Sequence, residues 1–157
     1  MSTDRPAPWK VIAGATLLVG TLDIFDAFIF YGLRRVTPTR ILQGIASGVL
    51  GRAAFGMGQR SALLGLFFHF FIAFSATTVF LLASHKLPVA RHPFLYGTLF
   101  GVALYLVMNY IVLPLSQIGL RPTPPLIPLI NGVAALVVCI GIPLALIARR
   151  YIPQEIR

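Results

Sequence analysis

Four stretches of this chain are long and apolar enough to cross a bilayer, and they limit what it can fold into more than any other feature. They cover about residues 9–33, 61–84, 94–116 and 125–148. A hydrocarbon core about 30 Å thick takes about 20 helical residues to cross. Inside it no water satisfies backbone N–H and C=O groups, so a span must bond to itself as a helix. The expected fold is therefore an all-α membrane protein, a four-transmembrane-helix bundle forming one integral membrane domain over 1–157. Composition agrees: 57% of residues are hydrophobic and 11% charged, too little polar surface to cover a water-soluble core of this length.

The segment "VTPTRILQGIASGVLGRAAFGMGQR" between spans one and two behaves differently. Thr37 is placed to cap a helix whose first residue is Pro38. The stretch is rich in Gly, Ala and Ser and carries Arg52, which predicts an amphipathic or partly embedded helix over about 38–57. In the five-span alternative, residues 41–58 cross the membrane and Arg52 lies deep, a position tolerable only beside a carboxylate. "HKLPVARHP" and the proline-stiffened "GLRPTPPL" read as the remaining turns.

Thirteen Lys/Arg face four Asp/Glu, an excess that would suggest nucleic acid in a soluble protein. Here the basic residues sit at the edges of the apolar runs: Arg5 and Lys10, Arg34 and Arg35, Lys86 and Arg91, Arg149 and Arg150. Those are the positions where cations anchor to lipid headgroups. The expected partners are thus membrane lipids, with a homo-oligomer or larger membrane complex open and nucleic acid excluded. With four spans, the side holding both termini carries seven basic residues (Arg5, Lys10, Lys86, Arg91, Arg149, Arg150, Arg157). The other side carries six (Arg34, Arg35, Arg40, Arg52, Arg60, Arg121). This narrow bias favours cytoplasmic termini. The basic N-terminus ahead of an apolar run resembles a signal peptide, but no small-x-small cleavage site follows. It is read as an uncleaved first span. Cys139 is alone, so neither an intrachain disulfide nor a cysteine metal site is expected.

The spans are not uniformly apolar. Thr16, Gly20, Asp23, Ala27 and Tyr31 recur at helical steps in span one, with Asp26 close to that face. Ser61, Gly65, His69, Ala73 and Thr77 do so in span two, as do Gly97, Gly101, Tyr105 and Asn109 in span three. Span four has Asn131, Ala135, Cys139 and Pro143. Small residues let helix backbones approach closely in lipid, so Gly20, Gly65, Gly97 and Gly101 are expected helix-packing positions. Asp26, His69, Asn109 and Asn131 each lie some 9–12 Å below the same membrane face, with Asp23 a turn deeper. One layer thus holds the most polar residue of every span. Arg52, on the same side, is a candidate countercharge, with an interface anchor the simpler reading. Two carboxylates on one helix face repel unless a proton or cation lies between them, and intramembrane acids are costly to retain. The same groups also serve as helix-to-helix hydrogen-bond partners, the simpler reading for Asn109 and Asn131.

Enzyme signatures are absent: no reliable Ser-His-Asp spacing, no glycine-rich phosphate loop and no HExxH. No cofactor or metal is expected. A divalent ion on Asp23, Asp26 and His69 would rest on depth alone. "GTLDIFDA", "RILQGIASGVLG", "LLGLFFHFFIAF", "YLVMNYIVLPLS" and "GIPLALIARR", in that order over nearly the whole chain, resemble the YagU-like group of small bacterial inner-membrane proteins. The resemblance implies an inner-membrane location and the helix count, and no mechanism. The group's last span carries a histidine a few residues before Gly-x-Pro. Here Ala134 to Ile140 has none, and Leu136 stands at that position, so a site shared by histidines of two spans is not implied. The expected function is a non-enzymatic inner-membrane protein whose polar cluster organises the bundle, as an accessory subunit or alone. The alternative is a small proton- or cation-coupled transporter or channel using Asp23, Asp26 and His69.

Overall fold

The computed structural model describes residues 7–120, 122 and 124–151; Arg5, Arg121 and Arg157, counted above for orientation, lie outside them. Helix α1 (Pro8–Gly32) begins with proline at its first position, where the missing N–H costs nothing. It closes through Val36 N–H donating to Tyr31 O at 3.1 Å and Arg35 N–H to Gly32 O at 2.9 Å. Arg35 takes the left-handed conformation (φ 64°) that this closure requires, a place usually given to glycine.

Helix α2 (Pro38–Leu50) is capped by Thr37, whose Oγ1 accepts from Arg40 N–H at 3.3 Å. It stops at Gly51, whose backbone (φ 59°, ψ −148°) suits glycine almost alone. The segment expected as one helix over 38–57 is therefore two pieces: α2, then a 3-10 stretch at Gly51–Gly56. At 13 residues α2 reaches about 20 Å, short of the ~30 Å needed to cross, and the five-span alternative falls with it. Gln43 Nε2 donates to Gly58 O at 3.0 Å and Ser61 Oγ to Ala54 O at 2.6 Å, pinning this connection to the start of the next helix.

Helices α3 (Gln59–Ser84), α4 (Pro93–Leu115) and α5 (Leu126–Tyr151) follow. With α1 they make four helices, among the described residues, long and apolar enough to cross a membrane. Two of them are not regular. A π turn occupies Met108–Val112 in α4 and another Leu136–Gly141 in α5, each ending two residues before a proline, Pro114 or Pro143. A proline in a helix interior has no N–H to donate, and its ring crowds the carbonyl four residues back. Widening the preceding turn relieves both problems.

That extra residue changes which side of α5 is buried. Steps of four from Ala135 predict Cys139 and Pro143 on the inner face. The buried positions are instead Ala135, Ile140, Gly141, Leu144, Ala145 and Ala148. The step from 135 to 140 spans the π turn, after which steps of four resume.

Helix α1 packs on α3 and on the π turn of α5, α4 packs along α5, and α2 lies against α3. Backbones touch at the glycines. A Cβ on Gly65 would overlap the Leu42 carbonyl of α2, and one on Gly101 would stand 2.6 Å from Val137 Cα. Gly97 meets the Gly141 carbonyl in the same way at 2.8 Å, and Gly20 sits under the Phe70 ring.

The buried apolar core is one-sided. Val19, Phe80, Leu81, Val89, Leu144, Ala145 and Ala148 gather where α1 begins, α3 ends, α4 begins and α5 ends. The bundle is packed shut on the side of the termini, and its cavities lie towards the opposite end.

Candidate intramembrane site

Two cavities with polar lining lie towards that opposite end, and Asp23, Ala27 and Tyr31 of α1 line both. The first, about 550 Å³, lies between α1, α4 and α5, with Gly119, Leu120, Pro122 and Pro124 of the α4–α5 loop at its rim. Asp23, Asp26, Tyr31, Tyr105, Asn109, Tyr110 and Asn131 line it. The second, about 590 Å³, lies under α2 and is mostly apolar, with Asp23, Tyr31, Arg40, His69 and Ser116 as its polar lining. Asp23 and Tyr31 face both.

The six polar-cluster candidates end in different places. Asn131 Nδ2 donates to Asp26 Oδ2 at 2.9 Å, joining α5 to α1. His69, buried on α3, bonds through Nε2 to the Gly20 carbonyl of α1 at 2.7 Å. A carbonyl only accepts, so Nε2 carries the proton in that bond. These two contacts tie the first helix to its neighbours on either side. Asn109 does not bridge helices: its Nδ2 donates to Tyr105 O, one turn back in α4, at 3.0 Å. It caps a carbonyl at the edge of the π turn while still lining the first cavity.

Asp23 is the exception. It lies nine residues before the end of α1, roughly 14 Å deep at ~1.5 Å per residue, and no described donor bonds its carboxylate. It is close enough to both His69 and Asp26 to interact with them electrostatically. Arg52 is not part of this arrangement. It stands exposed on the 3-10 segment and lines neither cavity. The sequence places it on the correct side of the membrane, but α2 ends at Gly51, and in the 3-10 stretch beyond it Arg52 is exposed while Ala54 is buried.

The arginine that does reach a cavity is Arg40, in the first turn of α2, where it also stacks over Phe55 at 3.9 Å. Sequence reasoning counted Arg40 only as a boundary charge. Tyr31 and Tyr105 stand in the sequence only as members of their helix faces. A signal was present for Tyr31, since it continues the Asp23–Ala27 face by one further turn. Among the described residues no three His, Cys, Asp or Glu side chains gather closely enough to hold a metal ion.

The arrangement combines two fixed helix-to-helix contacts with one buried-side carboxylate that has space on both sides and no donor. Comparison with protein-family models, curated proteins and solved structures finds no match to this chain.

Proposed function

We propose that this multi-pass membrane protein is a small, non-enzymatic carrier or channel of the bacterial inner membrane, related to the YagU-like group, which takes up a proton or cation at Asp23. The observation that carries this reading is that Asp23 lines both cavities without a hydrogen-bond donor. A carboxylate kept at membrane depth is costly, and one that served only to join helices would have a partner. The two tied polar pairs fit a supporting role: Asp26–Asn131 and His69–Gly20 hold α1 in place while Asp23 exchanges its ligand. Termini on the cytoplasmic side follow the slight excess of basic residues there, so the cavities open towards the opposite face.

The purely structural reading, in which the cluster only organises the bundle of an accessory subunit, draws on the same two pairs. It leaves Asp23 unexplained. Flux decides between them. Purified protein in liposomes should pass protons or a monovalent cation under an imposed gradient, and Asp23→Asn should reduce that flux to the level of empty liposomes. Asn131→Ala should lower thermal stability and leave flux measurable. Flux that survives Asp23→Asn ends the assignment to that residue.

A further inference from the structure

The lining of the first cavity names a ligand class more specific than a proton or an inorganic ion. Tyr31, Tyr105 and Tyr110 line it, one from α1 and two from α4. Asp23 and Asp26 supply the charge, and no Lys or Arg lines the cavity among the described residues. The chain holds only four acidic residues against thirteen basic ones, and two of the four face this space. Two carboxylates and three tyrosines among the described lining residues suit a cation better than an anion. Its size, about 550 Å³, is that of a small-molecule site, far more room than a bare metal ion fills. Tyrosine faces attract organic ammonium and phosphonium ions through the ring quadrupole, and more strongly where water is excluded. Inorganic ions, by contrast, need several oxygen ligands close together, and Asn131 already occupies one oxygen of Asp26.

We infer that the cavity between α1, α4 and α5 binds a hydrophobic organic cation, with Asp23 as its counter-ion and the tyrosines as its walls. This rests on the reading of Asp23 as the ligand-accepting group and specifies what it accepts. Asp26 contributes charge from its fixed position beside Asn131. The apolar cavity under α2, with Arg40 in its lining, is the poorer place for a cation.

Two ions of the same shape and opposite charge test this in detergent-solubilised protein: tetraphenylphosphonium and tetraphenylborate. Tetraphenylphosphonium should bind saturably, and tetraphenylborate should show only partitioning into micelles. Asp23→Asn and Tyr105→Leu should each weaken tetraphenylphosphonium binding by about tenfold, while Tyr105→Phe, which keeps the ring face, should bind nearly as wild type does. If Asp23→Asn fails to fold, Tyr110→Leu, at an exposed position, should still weaken binding. Equal saturable binding of both ions, or phosphonium binding unchanged by Tyr105→Leu and Tyr110→Leu, overturns the inference. Binding lost in the variants without any liposome flux supports this site and removes the transport reading. Asp23-dependent flux of protons without saturable phosphonium binding does the reverse.

Discussion

At the scale of single residues, the membrane interior makes every polar atom costly unless it has a partner, and the chain handles its polar atoms unequally. His69, Asn131, Ser61 and Gln43 all reach acceptors on another segment. Thr77 does not: it is fully buried on α3, and its hydroxyl has no partner. An unpaired buried hydroxyl is a net cost that an apolar group of the same shape removes. Thr77→Val should therefore raise stability by about 1 kcal/mol, measured by thermal unfolding in detergent. A lower melting temperature would mean that the hydroxyl has a partner after all. Thr16 and Thr78 also carry hydroxyls without a partner among the described residues; Asp23 differs from all three in lining two cavities. That contrast separates a tolerated imperfection from a candidate working group.

At the scale of the elements, the two π turns set how far the sequence can be read. The four spans, the Thr37 cap and the small-residue faces of α1, α3 and the first half of α4 follow from hydropathy and steps of three and four, because those helices are regular there. In α5 the same stepping fails at Leu136–Gly141, where one added residue rotates everything beyond it. Pro143 is the visible sign of irregularity, but a proline does not tell the reader whether its helix kinks or widens. Arg52 is exposed, as an interface anchor would be; the break at Gly51 that leaves it outside the cluster depends on a backbone conformation that composition does not disclose. The pairing of Asp26 with Asn131 was legible as equal depth, and the isolation of Asp23 was not, since depth says nothing about who reaches whom. Deleting Val138, an exposed residue within the π turn, should convert it to regular helix and keep Leu144, Ala145 and Ala148 in the core. Inserting an alanine after Val138 should rotate them out. The deletion should stay monodisperse on size exclusion and the insertion should not; equal behaviour of the two would contradict the register argument.

At the scale of the whole molecule, the arrangement is asymmetric along the membrane normal. The apolar core closes the side of the termini, while the polar residues and both cavities lie towards the other face. Helix α2 and the proline-rich loop cover that face and are joined, with Gln117 N–H donating to Gly48 O at 2.9 Å. Access to Asp23 should accordingly come from one side. In a Cys139→Ala background, Leu120→Cys at the cavity rim should react with a membrane-impermeant maleimide added opposite the termini. Labelling from the side of the termini would refute the one-sided description.

The central claim is a division of labour between two carboxylates three residues apart, with Asp26 fixed by Asn131 and Asp23 left to act. A bilayer-soluble carbodiimide, which forms stable adducts with accessible intramembrane carboxyl groups, tests it most directly when followed by peptide mass spectrometry. The account predicts one adduct, on Asp23, slowed by tetraphenylphosphonium, retained in Asp26→Asn and accompanied by loss of flux. An adduct on Asp26 with Asp23 untouched, or full modification of Asp23 with flux intact, would contradict it.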